Sequence, residues 1–384
     1  MTVITSPRRL DPDPEAAAEL RAALDRLGYD DAQQWFRPDY FVSPFPHRER
    51  FLEALGNLPA PLATALRLFA LADPVGLVGA ERDLGRGVVE AGLAIGLLVA
   101  GGDGTVDSGG FSVVSRLGCY AVVSTNPYYP GFRPDNADVY VGPDSFALAA
   151  QLDRLAAVVP TSGTAADLCC GSGIAGQGLA TRMPGLAWTG VDLAPPAVEA
   201  AALNAALNGL GDRYRPVVGD LYGPLGGARF DLIVCNPPFI PVPAGPDFPG
   251  YGAGGDDGLA VLRPLFDGLR RHLSDGGRAV VYAEGIGDAE GPAVRAWVEE
   301  VARRDGLDAE LLVVAAASRE QALYALGRLL ANQKPSRLTE VGVWAESFSR
   351  QRVDGYFKYF VVARPGRSSF RVKPLVQLVT AGRP

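Results

Sequence analysis

The spacing of apolar residues changes character near Ser145. Before it the pattern is mostly helical. In "DPEAAAELRAALDRLG" the apolar residues recur at helical spacing behind an Asp-Pro start and ahead of Gly28, which predicts an amphipathic helix. Residues 50–72 predict a second helical pair, broken by "LPAP". The stretch "LGRGVVEAGLAIGLLVAGGDGTVDSGGFSVVSRLGCYAVVS" predicts a helix, a glycine-rich turn and two β-rich runs. Residues 126–144, rich in Pro, Asn and Asp, predict a linker. From Ser145 helices alternate with short apolar runs. A helix over 145–159 precedes the strand "TAADLCC" and a further helix. The strand "AWTGVDL", a helix over 195–208 and the strands "YRPVVGDL" and "FDLIVCNPPF" follow. Then come a helix over 258–273, the strand "RAVVYAEG", a helix over 291–304 and the strand "DAELLVVAA". Such alternation predicts an α/β protein with a parallel, doubly wound sheet covered by helices on both faces. Beyond it, "REQALYALGRLLANQ" predicts one more helix, and "GVWAESF" and "GYFKYFVVA" read as late strands with core aromatics. The expected organisation is an N-terminal domain over 1–125, the linker over 126–144, and a second domain over 145–384 with a C-terminal extension.

The N-terminal order of helix, glycine turn and hairpin resembles a winged helix, set against the simpler reading of any small α+β cap. Winged helices bind DNA and also serve as dimerisation or substrate-docking modules. No basic recognition helix is visible, so the sequence gives no ground for DNA binding.

Composition narrows the class. Apolar residues make up 48% of the 384 and charged residues 21%, the profile of a soluble globular protein. Cys119, Cys169, Cys170 and Cys235 show no paired-ligand spacing. They read as reduced thiols of a cytoplasmic protein, and no metal site is expected. The N-terminus lacks an apolar signal core. The most apolar stretch, from Val88 to Ala100, contains Glu90 and is too short to span a bilayer, so no membrane partner is expected. The net charge of −7 does not favour naked nucleic acid. It is uneven, however. Lys334 to Pro384 holds ten Lys and Arg against three acids, a net of +7, which leaves −14 for the rest. That basic, aromatic-bearing segment is a candidate face for RNA or an acidic partner, set against the simpler reading of a solvated surface.

Four strand ends carry candidate chemistry. In "DLCCGSGIAG", Asp167 to Gly176, a strand feeds an acid, a glycine turn and a helix, and Gly171 and Gly173 let backbone approach a ligand at a helix N-terminus. Asp192 ends the next strand, 25 residues on. Its carboxylate can accept both ribose hydroxyls of an adenosine, or cap the helix "PPAVEAAALNAAL". Asp220, in "GDL", ends the third strand and is placed to face an adenine edge. The fourth is "DLIVCNPPFIPVP", in which a buried strand stops on Asn236 and two prolines that cannot donate to a ladder.

In this order and spacing the four resemble a class I S-adenosylmethionine-dependent methyltransferase, over roughly residues 140 to 315. The resemblance implies a Rossmann-like domain and S-adenosylmethionine (SAM) as cofactor. It implies cofactor binding by Asp167, Cys169, Gly171, Gly173, Asp192, Leu193, Asp220, Leu221 and Asn236, with Asn236, Pro237 and Phe239 as catalytic residues. "NPPF" is similar to the motif of enzymes that methylate a planar, conjugated nitrogen. With the following "GGDDGLAVLRPLFDGLRRHL" it is similar to the release-factor glutamine methyltransferases, and "CCGSG" to some amino-methylating RNA methyltransferases. Three features depart from the glutamine enzymes: Cys169 stands where glycine is usual, Phe239 where tyrosine is common, and the N-terminal half is winged-helix-like. A conjugated nitrogen is a poor nucleophile and has to be held with its lone pair aimed at the methyl group. The Asn236 side-chain oxygen and the Pro237 carbonyl can accept its two N–H bonds, and the prolines preorganise these acceptors. Phe239 can stack on the flat target. No strong base is required, in keeping with only two histidines, His47 and His272. The loop after Phe239, "VPAGPDFPGYGAGGDDG", is expected to be mobile and to act as a lid.

The implied activity is N-methylation of a protein glutamine or an RNA base. Two other readings remain: a small-molecule methyltransferase that uses the N-terminal domain to form a homodimer, and a SAM-sensing DNA-binding regulator. A pure sensor has no need of an amine clamp.

Overall fold

The computed structural model describes residues 9–33, 45–116, 118–125, 139–155 and 160–374, so most of the expected linker lies outside them. The chain forms two compact units, Met1–Asp153 with Cys170–Asp220, and Arg154–Cys169 with Leu221–Pro384.

In unit 1, α1 (Pro14–Arg26) starts where Asp-Pro predicts. The Asp13 carboxylate accepts the backbone N–H groups of Glu15 and Ala16, and Pro14 takes a position whose N–H would have no helical partner. Helices α2 (Phe45–Leu55) and α3 (Ala60–Ala65) are the broken pair, the latter running into a π-turn over Leu66–Ala70. Then follow β1 (Val75–Gly76), α4 (Leu77–Leu84), α5 (Arg86–Ala94), β2 (Val99–Ala100) and β3 (Thr105–Asp107). The three strands pair antiparallel in the order β1-β3-β2. Helices and short antiparallel strands are thus mixed in this region. The turn Gly101–Gly104 between β2 and β3 is closed by Gly101 N–H on the Thr105 carbonyl at 2.7 Å.

The two β-rich runs form a hairpin of β4 (Phe111–Arg116) and β5 (Cys119–Ser124). Helix α6 (Pro143–Leu155) comes next, then α7 (Ile174–Ala180), β7 (Gly185–Asp192), α8 (Pro195–Leu207) and β8 (Tyr214–Val218). Strands β7 and β8 are parallel, with Asp192 opposite Val218. The core of unit 1 joins Leu20, Phe69, Val113 and Val122 to Ile174, Leu203 and Leu207 in one cluster. Polar contacts join the hairpin to α8 as well. The Asn204 side chain accepts the Val122 N–H at 2.6 Å and donates to its carbonyl at 3.2 Å. One turn on, Asn208 treats Tyr120 alike at 2.9 and 2.7 Å. Two amides at i and i+4 thus stand in for a neighbouring strand along β5.

Unit 2 holds β6 (Ser162–Leu168), β9 (Phe230–Cys235), α9 (Leu262–His272), β10 (Leu273–Asp288) and β11 (Gly291–Pro292). It continues with α10 (Val294–Asp305), β12 (Leu307–Ser318), α11 (Arg319–Gln333), α12 (Val341–Arg350), β13 (Gly355–Pro365) and β14 (Phe370–Pro374). Its strands run in the order β14-β12-β13-β10-β9-β6. Strands β6, β9 and β10 are parallel, whereas β13 lies antiparallel between β10 and β12. The sheet is therefore mixed, not parallel throughout. The register gives the reason. Ser318, the last residue of β12, pairs with Gly355, the first of β13, so the two strands are a hairpin whose connection is the excursion α11–α12. Chain that returns at the end it left must run antiparallel. "GVWAESF" lies in α12 and is a helix, contrary to expectation. Its buried Trp344 and Phe348 lie four apart, on one face of a helix. Leu232 to Cys235 are fully buried, which accounts for the unbroken apolar run of β9. None of the four cysteines is in a disulfide. Among the described residues no helix is long and apolar enough to cross a membrane.

Candidate active site

The candidate residues divide between the units. In unit 1, Gly171 and Gly173 have φ of +52° and +79°, in the left-handed region. A Cβ on Gly173 would sit 2.5 Å from Gln177 Nε2 and 3.2 Å from the Tyr214 hydroxyl, so the position excludes a side chain. Asp192 joins this turn to the end of β7. One carboxylate oxygen accepts the Gly171 N–H at 2.8 Å, the other the Ala194 N–H at 3.0 Å. It is thus an anchor for the glycine turn rather than the cap of α8, whose cap position is Ala194. The Gly219 N–H donates to the Asp192 carbonyl at 2.9 Å, which brings the end of β8, with exposed Asp220, beside the end of β7. Leu193 is 71% exposed, an apolar side chain left open at a strand end.

Unit 2 carries the others. Asp167 and Leu168 pair with Val234 and Cys235, so Cys169 and Asn236 are the first residues past adjacent strand ends. Asp167 is buried. Cys169 and Leu221 have φ of +53° and +44°, a conformation that favours glycine. Cysteine at a position where the resembled enzymes have glycine therefore carries local strain. Past Asn236, whose side-chain oxygen is buried, Pro237 is buried and Phe239 is 9% exposed. The Phe239 ring meets Tyr282 edge-on with centroids 6.1 Å apart, and Tyr282 meets Phe360 at 5.0 Å. The Tyr282 hydroxyl donates to Glu284 at 2.6 Å, and Lys358 pairs with the same oxygen at 2.6 Å. His272 is occupied elsewhere: it stacks on Tyr222 at 4.3 Å with Nδ1 2.9 Å from the Ala228 carbonyl. Burial raises the Tyr222 hydroxyl well above its ordinary pKa, with Cys235 and Cys169 adding to the rise.

The loop after Phe239, where a lid is expected, is hydrogen-bonded across itself. Ile240 N–H donates to Gly252 at 2.8 Å, Val242 N–H to Gly255 at 2.7 Å, and Gly254 N–H back to Ile240 at 2.8 Å. Gly254 and Gly258 pack on the Phe239 backbone so closely that a Cβ would lie 2.9 Å from its carbonyl carbon or 2.5 Å from its oxygen.

Sequence reasoning passed over Ser172, Asn204, Tyr282 and Trp344. The Ser172 hydroxyl is buried without a hydrogen bond, and its carbonyl accepts the Asn204 amide at 2.9 Å. Only the i, i+4 spacing of Asn204 and Asn208 in an otherwise apolar helix was available as a signal.

Part of the chain is similar to known proteins. Residues 144–284 match the family model of the methyltransferase small domain. A ribosomal protein uL3 glutamine methyltransferase of Bradyrhizobium diazoefficiens is 37% identical over 29% of this chain and 38% of its own length. A release factor glutamine methyltransferase of Geobacter sulfurreducens is 36% identical over 34% of this chain and 48% of its own. A ribosomal RNA small subunit methyltransferase C of Salmonella arizonae is 30% identical over 44% and 46%. The chain spans less than half the length of each of these relatives. Over residues 144–284 the chain is thus similar to the methyltransferase small domain, as found in class I SAM-dependent methyltransferases.

Proposed function

We propose that the chain is a cytoplasmic SAM-dependent N-methyltransferase, acting on a planar amide or exocyclic amine nitrogen of a protein or an RNA. The observation that carries the reading is the end of β9: a strand fully buried from Leu232 to Cys235 delivers Asn236, two prolines and a packed phenylalanine, with the Asn236 oxygen buried. The relatives named above support either acceptor class.

The residues fit the cofactor. Asp192 ends β7 beside the glycine turn, where a carboxylate suits ribose hydroxyls, Gly171 and Gly173 keep that turn free of side chains, and Leu193 offers apolar surface to a base. Asp167, Cys169, Asp220 and Leu221 complete this set. SAM would supply an electrophilic methyl group. The protein's own part is to hold the acceptor. Asn236 and the Pro237 carbonyl take its two N–H bonds, and Phe239 bears on its flat face. With the N–H bonds so directed, the lone pair is perpendicular to the acceptor plane, and positioning supplies most of the rate. In this reading residues 145–384 are the catalytic domain with its C-terminal extension, and the net +7 of that extension suits an RNA or acidic partner.

Incubation of the protein with methyl-labelled SAM and a cell extract, fractionated into protein, RNA and small molecules, tests the proposal. Label in protein or RNA supports it. Label in small molecules alone replaces it with a metabolic enzyme.

A further inference from the structure

The segment from Pro241 to Gly258 is rich in Gly and Pro and has few apolar residues, a composition that costs conformational entropy to fix. It is nevertheless held, and much of the hold comes from the excursion between β12 and β13. The Trp344 indole, fully buried, donates to the Pro241 carbonyl at 2.6 Å. Its ring meets Phe248 edge-on at 6.4 Å. Val242 and Phe248 pack into the small cluster formed by Trp344, Phe348, Leu330 and Ile286. Around it, Arg337 donates to the Asp247 carbonyl, and Gln351 to the Asp256 carbonyl at 3.0 Å. Ser347 reaches the Asp256 carboxylate at 3.4 Å. Side chains from the 334–351 region thus grip the segment at its start, middle and end, mostly through backbone carbonyls. The start lies two residues from Phe239 and five from Asn236.

Resting on the methyltransferase reading, we infer that the excursion 319–350 is a clasp that sets the acceptor end of the site, and that Trp344 is its positioning residue. Backbone fixed at Pro241 on one side and by the β9 ladder on the other leaves little freedom to Asn236–Phe239. A conjugated nitrogen needs that accuracy, because its lone pair reacts only along a narrow approach, and misplacement by about 1 Å can cost about a hundredfold in rate. Trp344 touches no reacting atom. It acts through the Pro241 carbonyl.

Trp344→Phe keeps the apolar bulk and removes the donor. We expect its methyl transfer, measured with labelled SAM on the extract fraction that the wild-type protein labels, to fall at least about tenfold. The dissociation constant for S-adenosylhomocysteine, from calorimetry, is expected to stay within about twofold. Hydrogen exchange at the amides of Val242 and Gly254 should quicken while that of β7 and β8 is unchanged. Arg337→Met, at the edge of the clasp, should quicken exchange in the same segment and serves if Trp344→Phe does not fold. A lower melting temperature with unchanged kcat and unchanged exchange would make Trp344 a stabilising residue only and overturn the inference. A wild-type protein that binds no cofactor would instead remove the methyltransferase reading, leaving the exchange data to judge the clasp alone.

Discussion

At the scale of single residues, the two ends of the proposed chemistry make opposite predictions. Asp192 uses both carboxylate oxygens on backbone N–H groups of unit 1, so Asp192→Ala removes a ribose acceptor and frees the glycine turn together. Charge-assisted hydrogen bonds contribute about 1.5–3 kcal/mol each, so we expect SAM binding to weaken at least tenfold by calorimetry. An unchanged affinity would end the ribose assignment. Asn236→Ala should leave that affinity within about threefold and reduce transfer by about 10²–10³, as loss of one preorganised polar contact does elsewhere. Equal losses of binding and turnover would place Asn236 in the cofactor's grip instead. Cys169 offers a third test. Its φ of +53° strains any residue with a Cβ by about 1 kcal/mol, part of which glycine returns through its freer unfolded chain. Cys169→Gly should therefore raise stability by about 0.5 kcal/mol in urea melts, and a clear loss would mean that the thiol packs better than its backbone suffers.

At the scale of elements, the contact of α8 with the β4–β5 hairpin is the least expected. Asn204 is fully buried and serves both the N–H and the carbonyl of Val122. Asn204→Leu would leave both without partners at about 1–3 kcal/mol each, so we expect a loss of about 2–4 kcal/mol by urea denaturation. Asn208, half-buried, should cost less. A loss under 1 kcal/mol for Asn204→Leu would show that water replaces the amide. The sequence could not announce this pairing, because "AALNAALN" reads equally well as a helix packed on any surface. What was legible follows the same logic. Apolar runs marked β4 to β10 and β12, and the Asp-Pro start marked α1, since period and caps are local. The strand β13 was legible too, but its antiparallel direction and the helical "GVWAESF" were not, because both follow from where the chain returns after α11–α12. The contacts of the loop after Phe239 were hidden for a related reason: glycine content foretells a costly loop, but not the tryptophan 103 residues away that holds its start.

At the scale of the whole molecule, stability in acid rests on carboxylates that accept hydrogen bonds in the folded state. Asp231 is the structural centre of this set in unit 2. It stands in β9, accepts the Ser274 hydroxyl from β10 at 2.6 Å and the Thr164 N–H from β6 at 2.9 Å, and so ties three parallel strands at one end. The Ser274 hydroxyl first, and the Thr164 N–H after it, hold its carboxyl below the usual range. Asp305 beside Arg304, Asp308 beneath Ser369 and Asp83 beside Arg82 and Thr64 are lowered too. A carboxyl lowered on folding stabilises the protein above its unfolded pKa of about 3.9, and that contribution disappears as pH falls through the folded value. Stability should thus be level with respect to these groups from pH ~8 to ~5 and decline below pH ~4. Asp231→Ala isolates one of them. Hydrogen bonds to a half-exposed charge suggest a deficit of about 1–2 kcal/mol at neutral pH. In urea melts at successive pH values the gap between wild type and variant should hold down to about pH 5 and close below the ordinary carboxylate pKa. A gap constant to pH 3 would mean that Asp231 acts by shape and not by charge. Ser274→Ala removes the leading cause of the lowered pKa, so its own gap should close over the same range.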